Sequence, residues 1–137
     1  MVNVQNTDVY ILVVDDTQTN REIMARILAR KKYENKLVAS GEEALATIAE
    51  RLPDLILLDI SMPGLNGYQV CERLKADERT RNIPVVFISA HDETEDKVRA
   101  FHVGGVDYIT KPFKIEEVLA RVDTQVILAG QRKAIIE

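Results

Sequence analysis

Five short apolar segments alternate along the chain with longer stretches of helical periodicity. The segments, each of strand length, are Val9–Val14, Lys36–Ala39, Leu55–Leu58, Val85–Ile88 and Val106–Ile109. Wholly apolar strands are typical of parallel sheets covered on both faces, and parallel strands need long crossovers such as helices. The alternation therefore predicts one α/β domain with a five-stranded parallel sheet flanked by helices, for which 137 residues suffice.

The segments between the apolar runs carry helix-start signals. Capping boxes are predicted at Thr19–Glu22 and Ser40–Glu43, where a hydroxyl residue precedes an acid by three positions. A third helix is predicted over about residues 68–75. In the fourth helix, which follows the fourth strand, we expect Val98 and Phe101 to form the buried face.

The fifth helix is predicted to start near residue 115 and to continue past residue 126. Its apolar residues keep a 3-4 spacing: Leu119, Val122, Val126, Ala129 and Ile136. Lys133 interrupts this stripe and Gly130 weakens a helix, so a coiled-coil extension and a frayed tail are both open. We assign residues 1–129 to the domain and 130–137 to an extension of the last helix or the start of a linker.

Charge and cysteine content argue against several classes of function. The net charge is −4 with both signs interspersed, which disfavours direct binding of nucleic acid or of an anionic membrane. Cys71 is the single cysteine, so we expect a buried, reduced thiol and a cytoplasmic location. The N-terminal residues lack a secretion-signal pattern, and no apolar run approaches the ~18 residues of a membrane span.

Polar and charged residues follow the predicted strands where the strands end. They are Asp15 and Asp16, Asp59, Ser89 and Lys111. The carboxyl ends of parallel strands share one edge, where ligands bind at a topological switch point, so we expect these side chains to converge. Adjacent carboxylates repel each other unless a cation compensates them. The alternative is that Asp15 and Asp16 simply cap a loop in water.

These residue types together suit one reaction, phosphoryl transfer. Clustered carboxylates are oxygen ligands for Mg²⁺. A carboxylate can also act as a nucleophile and form an aspartyl phosphate. Positive charge, such as that of Lys111, stabilises the transferred group, and Ser89 would add a hydrogen bond.

The successive motifs of the receiver domain of two-component response regulators resemble four segments of this chain, in the same order: ILVVDD, LILLDISMPGLNG, VVFISA and GGVDYITKPF. The resemblance covers about residues 8–127, and its specificity lies in the order of several motifs on matching elements. It implies the doubly wound (βα)5 flavodoxin-like sandwich. It also implies a histidine kinase or phosphotransfer protein as partner, and a switch that assists its own phosphorylation and dephosphorylation rather than a stand-alone enzyme.

The resemblance implies a role for each site residue. Asp59 would accept the phosphoryl group. Mg²⁺ would be held by Asp15, Asp16 and Asp59 together with the backbone carbonyl of Ser61. Lys111 would pair with the phosphoryl group.

A relay from the acceptor is implied as well. The hydroxyl of Ser89 would move to meet the phosphoryl oxygen, and Tyr108 would rotate inward to follow it. The change would reach the face formed by the fourth helix, fifth strand and fifth helix. Pro112 would follow Lys111 in a cis peptide bond.

Some positions vary within the family that the chain resembles. Ser61 and His91 lie two residues beyond the acceptor and beyond the switch hydroxyl, where family members tune phosphate lifetime. Gly104–Asp107 replaces a commoner Gly-Ala pattern before the fifth strand.

Two other functions stay open at this level. A phosphatase resembling the haloacid dehalogenase family would need an acid two residues after the nucleophile, where this chain has Ser61. A constitutive assembly module would dimerise through its last helix, whatever happens at Asp59. More generally, a homodimer would form through the face of the fourth helix, fifth strand and fifth helix, or through the extended last helix. No output segment follows the domain, so the protein signals through a separate partner or forms the N-terminal part of a longer chain.

Overall fold

The predicted α/β fold is confirmed, with one parallel sheet at its centre. The computed structural model describes residues 8–91 and 93–136, with side chains up to residue 130. The strands are β1 (Tyr10–Val14), β2 (Glu34–Val38), β3 (Leu55–Asp59), β4 (Val85–Ser89) and β5 (Asp107–Thr110). Their order in the sheet is β2-β1-β3-β4-β5, and every neighbouring pair is parallel.

A helix follows each strand along the chain. The helices are α1 (Gln18–Ala29), α2 (Gly41–Glu50), α3 (Gly67–Ala76), α4 (Thr94–His102) and α5 (Ile115–Ile136). Buried residues of α1 and α5 pack on one face of the sheet, and buried residues of α2, α3 and α4 pack on the other. Layers of helix, sheet and helix result, as expected for a doubly wound fold.

Alternate residues of each central strand enter the two halves of the core. In β3, Ile56 and Leu58 contact the α2 and α3 side, whereas Leu55 and Leu57 contact the α1 and α5 side. All four are fully buried. Full burial of such a side chain contributes about 1.5–3 kcal/mol relative to exposure, so the sheet centre is the most strongly stabilised part of the fold.

The two predicted capping boxes have different outcomes. The prediction at Thr19–Glu22 is wrong, because α1 begins at Gln18 with Thr17 as its N-cap and without a side-chain capping bond. The backbone N–H of Thr17 instead donates to Asp15 Oδ1 at 2.9 Å, which starts the helix early. At α2 the hydroxyl of Ser40 accepts from the N–H of Glu43 as predicted, but the Glu43 carboxylate accepts from the N–H of Ala39.

The predicted buried face of α4 is also wrong. Val98 and Phe101 are 60% and 50% exposed, and Ala100 is the buried residue of this helix. Ala100 packs into the core with α3 and β4. Val98 and Phe101 are rotated roughly 200° and 100° from it about the helix axis, so the small residue faces the domain and the large ones face outward.

The helix α5 continues through Gly130 and ends at Ile136. Val122 is buried, and Leu119 and Val126 pack partly against the α1 side of the core, so this half of the predicted stripe does not form a free coiled-coil face. The exposed apolar residues of this helix, up to residue 130, include Ile127 and Leu128. The side chains of Lys133 and Ile136 lie outside the described part of the chain.

Candidate functional site

The carboxyl edge of the sheet collects the residues that the sequence singles out. Asp15 follows β1, Asp59 ends β3, Ser89 ends β4 and Lys111 follows β5. β1 and β3 are neighbours, and β2 lies on the far side of β1. The chain thus adds β2 on one side of β1 and all later strands on the other, so the strand order reverses between β1 and β3. This edge is therefore the topological switch point at which doubly wound folds bind ligands.

Three carboxylates meet at the switch point. Asp15, Asp16 and Asp59 each offer one oxygen, and these oxygens all lie within 4.8 Å of one another. Asp15 and Asp59 are buried, at 1% and 2% exposure, whereas Asp16 is exposed. The alternative in which both adjacent acids sit in water fails for Asp15.

Lys111 reaches the cluster from the other side of β3. Its Nζ lies 3.1 Å from Asp15 Oδ2 and 3.4 Å from Asp59 Oδ1. One ammonium thus lies beside the two buried members of a cluster of three carboxylates. The pKa of the Asp59 carboxyl is raised to about 7, mainly by burial and then by the charge of Asp15, while the charge of Lys111 opposes the rise. The site is short of positive charge.

The chemistry of the acid cluster fits a divalent cation. Asp15 Oδ2 is buried and receives no well-aligned hydrogen bond, although Lys111 lies nearby. Buried carboxylate oxygens usually have such partners, and a hard cation such as Mg²⁺ supplies one without a directional requirement. The exposed carboxylate of Asp16 leaves the solvent side open, as suits an ion that keeps several of its waters.

Ser89 and Tyr108 meet at His91. The hydroxyl of Ser89 is buried and accepts from the N–H of His91 at 3.0 Å. The hydroxyl of Tyr108 donates to the carbonyl oxygen of His91 at 2.6 Å, and the Tyr108 side chain is buried. Ser89 directly follows Ile88, which lies opposite Asp59 in the pairing of β3 with β4. Two hydroxyls therefore bind one residue of the segment that leads into α4.

The other sequence-based expectations for this edge concern Ser61 and Pro112. The bond between Lys111 and Pro112 is cis, as the resemblance implied. Ser61 follows β3 with an exposed side chain. The side chains of His91 and His102 are exposed as well.

Sequence reasoning missed two residues that shape the site. The guanidinium of Arg21 donates to the carbonyl oxygen of Asp15 at 2.7 Å. Gly67 packs so closely on β3 that a Cβ there would lie 2.4 Å from the carbonyl oxygen of Asp59. Gly67 could have been suspected from the glycine-rich run GLNG that follows β3, whereas Arg21 carries no comparable signal in the sequence.

The fold and site define a doubly wound α/β protein with a cluster of three carboxylates and one lysine at its switch point. The sequence model of the response regulator receiver domain matches residues 11–123. The chain belongs to this family.

Relatives and solved structures agree with the assignment. The chain is 44% identical to the response regulator PleD of Caulobacter vibrioides and 43% identical to the phosphate regulon transcriptional regulatory protein PhoB of Pseudomonas aeruginosa, each over 112 residues. The alignments cover 82% of this chain but only 25% of PleD and 49% of PhoB. The receiver domain of NtrX from Brucella abortus superposes with a TM-score of 0.78 at 35% identity, covering 85% of this chain and 97% of that one.

Among the helices that the structure describes, none is both long and apolar enough to cross a membrane.

Proposed function

We propose that the protein is a signalling switch that is phosphorylated on Asp59. The observation that carries the proposal is the position of this carboxylate, buried at the switch point, 3.4 Å from Lys111 and beside Asp15. A phosphohistidine of a histidine kinase or phosphotransfer protein is the donor. A carboxylate oxygen of Asp59 attacks phosphorus, the P–N bond breaks, and the imidazole leaves with the electron pair of that bond and takes up a proton.

The acid cluster would hold Mg²⁺ through Asp15, Asp16, Asp59 and the carbonyl of Ser61. The ion would neutralise charge on the phosphoryl oxygens. The carboxylates of Asp15 and Asp16 otherwise repel an incoming phosphoryl group, so phosphorylation of Asp59 depends on the ion.

Lys111 prepares the site for the negative charge that arrives with the phosphoryl group. Its ammonium already lies within 3.4 Å of both buried carboxylates. When Asp59 becomes an acyl phosphate, this ammonium pairs with a phosphoryl oxygen and leaves its position between the two acids.

Ser89 and Tyr108 carry the change outward. Both hydroxyls bind His91, so a movement of Ser89 toward the phosphoryl group breaks its bond to the N–H of His91. Tyr108 and the segment before α4 then settle into a different arrangement, which is a population shift between two packings.

The face formed by α4, β5 and α5 is the proposed output surface. Val98 and Phe101 of α4 are exposed there, as is Val106 just before β5, and a homodimer or a partner protein would cover them. Constitutive assembly through this face or through the extended α5 is the second candidate, favoured by the exposed Ile127 and Leu128. PhoB is described as a transcriptional regulator, but with its net charge of −4 this segment would act on DNA only through another domain or protein.

The test is covalent labelling by a small phosphodonor such as acetyl phosphate, with Mg²⁺ or with a chelator. The wild-type protein should gain one phosphoryl group in the presence of Mg²⁺, and Asp59→Asn should gain none. The matched control is Asp77→Asn, since Asp77 is exposed and its turn accepts an amide as well as a carboxylate. Undiminished labelling of Asp59→Asn would refute the assignment.

Sizing of the same samples separates the two candidate outputs. A shift toward dimer on labelling indicates a phosphorylation-controlled interface, and a dimer in both states indicates constitutive assembly.

A further inference from the structure

Backbone carbonyl groups of α4 and of its C-cap accept hydrogen bonds from side chains of α3. The hydroxyl of Tyr68 donates to the carbonyl oxygen of Asp96 at 3.2 Å, in the first turn of α4. The thiol of Cys71 donates to the carbonyl oxygen of Val103 at 3.5 Å, just past its end. Tyr68 and Cys71 are three residues apart and therefore share a face of α3. One stripe of α3 thus contacts α4 at both ends.

The ring of Tyr68 is fixed from two sides. Its centroid lies 5.6 Å from that of Phe87 in β4, with the rings tilted by 52°. The guanidinium of Arg99, in α4, lies 4.2 Å from the Tyr68 centroid. The residue is 4% exposed, so the hydroxyl is held at the first turn of α4 by packing against β4 and by a cation–π contact.

The residue before Tyr68 is in direct contact with the acceptor backbone. The N–H of Gly67 donates to the carbonyl oxygen of Ile60 at 2.9 Å, and no Cβ fits between Gly67 and the carbonyl oxygen of Asp59. A displacement of the β3 backbone at Asp59 therefore acts on the first residue of α3, and Tyr68 is the next one.

We propose that Tyr68 is a positioning residue for α4, which fixes the first turn of that helix to α3 and couples it to the backbone at Asp59. Tyr108 holds the same region from β5, through the carbonyl of His91. The segment is thus held by two tyrosine hydroxyls from different elements. The role of Tyr68 in signalling rests on the proposed phosphorylation of Asp59, whereas its hold on α4 does not.

The substitution Tyr68→Phe removes only the hydroxyl and tests whether the hydroxyl fixes the first turn of α4. Hydrogen exchange of the α4 amides should be on the order of five-fold faster than in the wild-type protein, because one net hydrogen bond is lost. Exchange in β1 and β3 should be unchanged. The matched control is Tyr33→Phe, because Tyr33 is also buried and its hydroxyl bonds to Asp123 of α5, remote from α4. Equal α4 exchange in both variants would overturn the proposal. Faster exchange throughout Tyr68→Phe, including β1 and β3, would indicate a general structural role and overturn it too.

A second comparison tests the coupling to Asp59. Exchange is measured before and after acetyl phosphate and Mg²⁺. Tyr68→Phe should still be labelled, but the change in α4 exchange on labelling should be smaller than in the wild-type protein and in Tyr33→Phe. An undiminished change would refute the coupling. If Asp59 is not labelled in the wild-type protein, the proposed function fails, while the first comparison still decides whether Tyr68 holds α4.

Discussion

The sheet centre and α4 flank the same residue, Ser89, but are held in different ways. β1 and β3 have hydrogen-bonded neighbours on both sides, and every residue in them is buried. In α4, Ala100 is the one buried residue of nine. Opening β3 would disrupt the whole core, whereas α4 can move after losing a few contacts. The acid cluster thus lies on the part of the fold that resists movement, and the proposed response lies on the part that allows it.

The largest expected effect comes from removing core volume at the sheet centre. Leu58→Ala in β3 should lower the free energy of unfolding by about 2–5 kcal/mol, because Leu58 is fully buried among α2 and α3 residues. Val98→Ala in α4 should change it by no more than about 0.5 kcal/mol, since Val98 is 60% exposed. Urea denaturation of the two variants and the wild-type protein measures both. Equal destabilisation would show that α4 is as tightly integrated as the sheet.

A somewhat smaller effect on the free energy of unfolding is expected from the charge of Asp59. Its carboxyl has a pKa of about 7 in the folded protein against an ordinary value of 3.8, so between these pH values the folded state binds a proton that the unfolded state lacks. Stability in a chelating buffer should therefore fall as pH rises from about 4 to about 7. At about 1.4 kcal/mol per pH unit, the loss amounts to roughly 2–4 kcal/mol.

Asp59→Asn isolates that contribution, because an amide has the shape of the carboxyl without its titration. The variant should be more stable than the wild-type protein above about pH 7, and the difference should vanish near pH 4. Mg²⁺ should stabilise the wild-type protein at pH 8 and have a smaller effect on the variant. Parallel stability curves of the two proteins across this pH range would contradict a buried, raised-pKa carboxyl.

The contrast between these regions also explains which predictions from sequence succeed. Strands such as Leu55–Leu58 are apolar throughout and can lie only between two layers, so the sheet follows from the pattern of apolar segments along the chain. The convergence of Asp15, Asp59 and Lys111 then follows from topology, since parallel strands bring their carboxyl ends to one edge.

The errors fall where several arrangements satisfy the same local pattern. Val98 and Phe101 fit a helical face as well as any core pair, but Ala100 allows the closer approach of α4, and tertiary packing decides between them. At α1, Thr19 has a residue three positions later to complete a box, but the side chain of Asp15 already binds the N–H of Thr17 and starts the helix. The spacing of residues within a helix shows neither the packing of Ala100 against the core nor the bond from the N–H of Thr17 to Asp15.

The smallest expected effect is a gain of order in α4. Its N-cap residue, Glu93, makes no side-chain capping bond, whereas Ser40 caps α2. Glu93→Ser would supply the missing acceptor for an N–H of the first turn and stabilise α4 by about 0.5–1 kcal/mol. Exchange of the α4 amides should then be roughly two- to five-fold slower, with β1 and β3 unaffected.

The control for this gain is Glu95→Ser, which makes the same chemical change inside the first turn, where no cap can form. It should accelerate α4 exchange slightly, because it removes a negative charge near the positive end of the helix dipole. Slower exchange in Glu93→Ser alone would show that local capping limits the order of α4. No change in either variant would mean that the contacts from Tyr68 and Tyr108, rather than the helix itself, determine how readily α4 opens.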